Sequence, residues 1–262
     1  MELRFVDFQV RDGIGFITMN NPEKMNAFTL EGAQSLTRCL EHCSDSGEVR
    51  AVVIRGAGGS FCGGGDIKGM KYKVDNNCCE TRPGLRANNA VIKAALNCEK
   101  PIVAWIEGAC AGGGISLALA CDIAIAQEDA KFVFAFVNIG FVPDMGSNLL
   151  LARAVGKVKA AELVMLGSRF SGREAADWGL ITRAVPAQDL EGEVRRTAER
   201  LAAGPTLAYA RMKKLINRVQ YENLENIMAN EGEYQQQLCK SADHAEAIHA
   251  FFEKRRPSFQ GR

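Results

Sequence analysis

Two glycine clusters constrain this chain most: Gly63-Gly64-Gly65-Asp66 and Gly112-Gly113-Gly114. Each follows an apolar, strand-like run, Ala51 to Arg55 for the first and Pro101 to Ile106 for the second, and each leads into a helix-like segment. Glycine tolerates positive φ and has no side chain to hold a neighbouring group away. The N–H groups that open a helix lack intrahelical partners, and the helix dipole adds positive potential there. Two such knots can aim two backbone donors at one oxygen, which is the geometry of an oxyanion hole. Neither knot is a nucleotide signature. No G-x-G-x-x-G spacing closes with an acidic residue about 20 positions on, and no Gly-Lys-Ser or Gly-Lys-Thr follows.

The 262 residues suit one large domain, or a core with an appendage. An apolar content of 47% supplies a sizeable core, and the net charge of +1 gives no reason to expect a nucleic-acid or membrane-surface partner. Met1 to Phe5 lacks the basic and apolar regions of a secretory signal, and no apolar run reaches the ~20 residues of a membrane span. The expected location is the cytoplasm. Nine cysteines, an odd and scattered set, read as buried, reduced side chains. The tightest grouping, Cys39, His42 and Cys43, has no second ligand pair placed by sequence, so no metal is expected.

Along the chain, Leu3 to Val10 and Ile14 to Met19 read as a hairpin, followed by a polar loop from Asn20 to Ala27 and a helix from Thr29 to Cys43. The stretch from Gly69 to Pro83 has no firm period and reads as a mobile loop. Helix Arg86 to Leu96, helix Ile115 to Cys121, and strands Ile123 to Ala126 and Lys131 to Ala135 come next. Recurrent strand, glycine turn and helix predict an α/β layered core over residues 1–187. Residues 188–262 read as four helices, Asp189 to Ala203, Pro205 to Val219, Leu224 to Leu238 and Ala242 to Arg255.

Several segments together resemble the crotonase (enoyl-CoA hydratase/isomerase) superfamily. Phe61-Cys62-Gly63-Gly64-Gly65-Asp66-Ile67-Lys68 is similar to its F-x-A-G-x-D-[IL] segment, and Asn20-Asn21-Pro22-Glu23-Lys24-Met25-Asn26-Ala27 to its N-R-P-x-x-x-N-A segment. Gly108 to Gly114, Cys121-Asp122-Ile123-Ala124 and the closing Ala250 to Arg255 also resemble family segments. The resemblance implies a spiral core of repeated ββα turns, and a helical tail that mediates a homotrimer or a hexamer. It implies an acyl-CoA partner, with coenzyme A as part of the substrate thioester and no separate cofactor. By position, the oxyanion N–H groups are those of Gly65 and Gly113. The coenzyme A moiety is expected near Lys24, Met25, Ala27, Gly63, Gly65, Asp66, Ile67 and Lys68, with Phe251 and Lys254 reaching such a site, on a neighbouring subunit or the same one.

The resemblance also implies where this chain departs. Family hydratases position water with two glutamates, and those positions hold Ser116 and Phe136 here. A phenyl ring cannot accept a proton, and an unpartnered serine is a poor base. Asp144 stands where several family members keep a catalytic aspartate, among them double-bond isomerases. Ala130 to Phe136 and Pro257 to Gly261 look like the phenylacetate-pathway branch, which isomerises a ring-derived epoxide thioester to an oxepin and shifts 3-enoyl-CoA to 2-enoyl-CoA. Ser116, Phe136 and Phe141 are expected in the acyl pocket, where Phe132, Phe134, Phe136, Phe141 and Val142 desolvate Asp144 and make it a better base. The alternative reading of Asp144 is a helix N-cap before Met145. The expected enzyme is an isomerase. An atypical hydratase, a hydrolase or dehalogenase with a nucleophilic Asp144, and a silent acyl-CoA binder stay open beside it.

Overall fold

The computed structural model describes residues 2–262. A hairpin of β1 (Val6–Arg11) and β2 (Ile14–Met19) turns at Asp12-Gly13, both with positive φ. A 3-10 turn at Pro22–Lys24 precedes α1 (Leu30–Asp45), whose first turn is capped by the Thr29 hydroxyl. Next come β3 (Ala51–Gly56), α2 (Ile67–Asp75), α3 (Arg82–Asn97), β4 (Ile102–Ile106), β5 (Ala109–Ala111) and α4 (Gly113–Ala120). They are followed by β6 (Ile123–Gln127), β7 (Lys131–Val133) and α5 (Ser147–Leu166), the last broken at Gly156. Then β8 (Arg169–Ser171), α6 (Gly172–Asp177) and β9 (Arg183–Val185) complete the alternating part. Four helices end the chain: α7 (Leu190–Ala202), α8 (Thr206–Gln220), α9 (Leu224–Leu238) and α10 (Ala242–Phe252).

The strands form a six-stranded sheet in the order β1-β2-β3-β4-β6-β9, parallel from β2 onward, and a three-stranded sheet in the order β5-β7-β8. The chain visits the two in alternation, β4 then β5 and β6 then β7, which makes a spiral of ββα turns. In the turn before β4, a single parallel bridge from Cys62 to Cys110 of β5 takes the place of a short strand. Central strands of a parallel sheet are covered on both faces, so they read as unbroken apolar runs. Alternate residues divide between two cores. Val52, Ile54, Ile102 and Ala104 face α1 and α3, whereas Ala51, Val53, Val103 and Trp105 face Leu190, Val194 and Ala198 of α7. The other late helices also fold back: α9 packs on α3 and α5, and α10 on α2. Among the described residues, no helix is long and apolar enough to cross a membrane.

Several expectations need correction. Gly69 to Pro83 is not one loop, because most of α2 and the first residues of α3 occupy it. Asp66 caps α2 by accepting the Gly69 N–H at 3.2 Å, while Ile67, Met70 and Val74 lean on the core at helical spacing. No α2 residue is buried, and three lysines interrupt its apolar side, which hid the period. The strand expected over Lys131 to Ala135 stops at Val133, and α10 stops at Phe252, short of Arg255. The knots directly follow the small sheet rather than the large one, since β5 was too short to read as a strand.

Candidate active site

Cys62 holds the two knots in register. Its N–H donates to Ala109 O at 3.0 Å and its carbonyl accepts from Ala111 N–H at 2.8 Å, so the residues after Cys62 and after β5 run side by side. Gly64 and Gly112 meet there, both with positive φ, and a methyl group on Gly64 would lie 3.0 Å from Ala111 O and 3.7 Å from Gly112 Cα. Only bare backbone fits this contact. Gly112 N–H is taken by Val133 O at 3.0 Å. By contrast, neither Gly65 N–H nor Gly113 N–H donates a hydrogen bond among the described residues, and Gly113 is the first residue of α4. Burial pushes the Cys62 thiol up to about 12, so the cysteine between the knots is a spacer and no nucleophile.

Apolar side chains surround these donors. The Met70 methyl lies against Gly65, the Phe136 ring against Gly112, and Met145 Sδ with the Phe28 ring against Gly113. Phe136 is therefore brought to the second knot, as is Met145, the residue after Asp144. Phe141 N–H closes onto Phe136 O at 2.9 Å, and its ring stacks on His244 of α10 with centroids 4.0 Å apart. Ser116 is fully buried and faces inward: its hydroxyl pairs with that of Ser147 at 2.5 Å, which in turn donates to Asp144 O at 2.5 Å. It ties α4 to the start of α5.

Asp144 is not an N-cap. Gly146 occupies that position on α5, and the Asp144 main-chain carbonyl, rather than its carboxylate, takes the Ser147 N–H at 3.0 Å. The carboxylate receives a long contact from Gln235 Nε2 at 3.4 Å. Burial first, and the charge of Glu231 second, lift its pKa to about 7, with its own N–H opposing. Glu231 and Gln235 lie on α9, beyond the reach of any local motif. The sequence held one signal for them, since with Leu224 and Met228 they occupy the buried stripe of an amphipathic helix.

The residues expected to hold coenzyme A gather on one side of the first knot. Lys24 Nζ pairs with Asp66 at 2.8 Å, Met25 O accepts Gly63 N–H at 2.7 Å, and Ala27 N–H reaches Lys24 O at 3.0 Å. Burial raises the Asp66 pKa, but the Lys24 ammonium and the N–H groups of Gly69 and Lys68 outweigh it, and the carboxyl titrates below its ordinary range. Ile67 and Lys68 open α2, and the Met25 side chain is more than half exposed. Phe251 and Lys254 are exposed at the end of α10 and make no hydrogen bond to this group. α10 meets α2 instead through Phe252, over which Lys71 sits, and through His249, 3.0 Å from Asp75. Cys39 and Cys43 are buried in the main core, and the His42 ring packs edge-on against Phe8.

A spiral of ββα turns whose glycine-lined ends leave two N–H groups without partners among the described residues, with a partly buried carboxyl on the loop that packs against the second, is the architecture of a family of acyl-CoA enzymes. Residues 9–262 match the sequence profile of the family described as Enoyl-CoA hydratase/isomerase. The chain is 33% identical to the 1,2-epoxyphenylacetyl-CoA isomerase of Escherichia coli over 99% of its own length and 100% of that protein. It is 36% identical to a probable enoyl-CoA hydratase of Rhodobacter capsulatus across the whole of both chains. The solved structure of an enoyl-CoA hydratase from Mycobacterium avium subsp. paratuberculosis superimposes with a TM-score of 0.90 at 33% identity, covering 99% of this chain and all of that one. The protein belongs to the enoyl-CoA hydratase/isomerase family of the crotonase superfamily.

Proposed function

We propose that this enzyme isomerises an acyl-CoA thioester, either moving the double bond of 3-enoyl-CoA to give 2-enoyl-CoA or expanding a ring-derived epoxide thioester to an oxepin. The thioester oxygen accepts from Gly65 N–H and Gly113 N–H, which stabilises the enolate. For a 3-enoyl chain, Asp144 takes a proton from C2, the electrons spread to the oxygen and to C4, and Asp144 returns the proton at C4. One base serves both carbons, so no second acid is required. Lys24, Asp66 and the opening of α2 hold the coenzyme A moiety of the substrate, which is the only cofactor the reaction needs. The active form is a homotrimer or hexamer.

The observation that carries this reading is Asp144: a partly buried carboxyl next in the chain to Met145, whose Sδ lies against Gly113, with its pKa lifted to about 7. Water addition of the usual kind needs a second free carboxylate. Ser116 is occupied by Ser147, Phe136 has no proton to exchange, and the oxygens of Glu231 are filled by N–H donors. Similarity to an isomerase of 1,2-epoxyphenylacetyl-CoA supports the same direction. Hydration is the rival, because a relative of comparable identity carries the name probable enoyl-CoA hydratase.

Incubation with 3-enoyl-CoA in D₂O separates them. The expected product is 2-enoyl-CoA without 3-hydroxyacyl-CoA, and Asp144→Asn should lower the rate about 10²–10⁴-fold. Rapid formation of 3-hydroxyacyl-CoA that persists in Asp144→Asn overturns the proposal.

A further inference from the structure

α9 pins the loop that carries Asp144 at every second residue. Gln235 Nε2 donates to Val142 O at 2.7 Å and, more weakly, to the Asp144 carboxylate at 3.4 Å. Glu231 accepts from Gly146 N–H at 2.8 Å, from Asn148 N–H at 3.3 Å and from Asn148 Nδ2 at 2.8 Å. Glu231 is only 4% exposed. A lone carboxylate so deep in the protein is costly, and a hydrophobic side chain would fill the place more cheaply if packing were its only task. Each of these three partners is an N–H donor, so they favour the ionised form and oppose the burial that raises the Glu231 pKa.

We propose that Glu231 is a positioning residue for proton transfer: through Gly146 and Asn148 it fixes the loop that carries Asp144, and it sets a buried carboxylate close enough to that base for its charge to be felt there. This rests on the reading of Asp144 as the base. The groups around that carboxylate leave Glu231 as the charge that sets its behaviour. Ser116 on α4, and Ser147 and Asn148 on α5, are neutral. On α10, His244 is pushed below its ordinary value by burial, stacks on Phe141 and bonds Ile139 O at 2.6 Å, while Asp243 is turned to Gln260 and Gly261. The helical tail, which supplies neither Gly65 nor Gly113, thereby adds to burial in tuning the acid–base chemistry of the site.

The test is the pH dependence of kcat/KM for 3-enoyl-CoA isomerisation in Glu231→Gln and Glu231→Met, two neutral variants of similar length, either of which suffices if it folds. Removing the neighbouring charge favours ionised Asp144, so the acid-side limb should move down by about one pH unit, with a several-fold lower plateau and a KM within about twofold. Glu231→Asp, which keeps the charge, should return the limb towards its original position. The carbonyl stretch of protonated Asp144, assigned by its loss in Asp144→Asn, should shift its titration midpoint by the same amount in the absence of substrate. A limb and a midpoint that stay in place in a folded neutral variant overturn the role of Glu231. Full activity in Asp144→Asn would instead overturn the base itself, whatever Glu231 does.

Discussion

Burial and the Glu231 carboxylate both oppose ionisation of Asp144, so folding lifts its carboxyl from an ordinary 3.8 to about 7. Between these values the folded chain keeps a proton that the unfolded chain has lost. The stability this gives is complete below about pH 4 and lost as pH rises through about 7. Asp144→Asn removes the titration. Its melting temperature should exceed that of the unmodified protein by a few degrees at pH 8.5, and the gap should close towards pH 4.5; a gap independent of pH contradicts the shift. Asp144 itself is marked by the family resemblance, with its apolar neighbours in the sequence as support. Glu231 could not be assigned to it, because 87 positions separate them and only the folding of α9 over the loop joins them. Ser116 misled in the opposite sense: its partner Ser147 lies 31 residues on, and without it the hydroxyl looks free for a ligand.

At the scale of elements, the start of α4 offers a clean test of the polarising donors. Proline is tolerated at the first position of a helix, where the N–H has no intrahelical partner to lose. A Cβ at Gly113 would come within 2.5 Å of Met145 Sδ and 3.3 Å of the Phe28 ring, so any substitution crowds a flexible thioether. Gly113→Ala carries that crowding and keeps the N–H, whereas Gly113→Pro loses it. Comparing kcat of the two folded variants isolates the donor, and proline should be slower than alanine by about 10²–10³-fold. Equal rates would show that Gly113 N–H does not bind the developing charge. The knots, β3 and β4 were legible because each states its environment locally, as glycine triplets and as continuous Val-Ile runs. α2 was not, since its grip on the core is only three partly buried side chains and a cap.

For the whole molecule, α8 presents Met212, Leu215, Ile216 and Val219 on one face, at exposures of 56–74%. Their spacing follows the pattern of a helix side meant to be covered. If a second copy of this chain covers it, light scattering should find a trimer or hexamer, and Leu215→Glu with Val219→Glu should release smaller species with secondary structure intact. A monomer in the unmodified protein would refute the assembly. The meeting of Gly64 with Gly112 has a different bearing, on how such a protein can change over generations. In the proposed mechanism the charge-holding half of the chemistry is written in peptide groups, which substitutions away from the glycines leave in place, and the proton-moving half in a single side chain on a loop. On that mechanism a lineage can replace the residue that handles protons, and with it the reaction, while inheriting the glycine-lined donors unaltered.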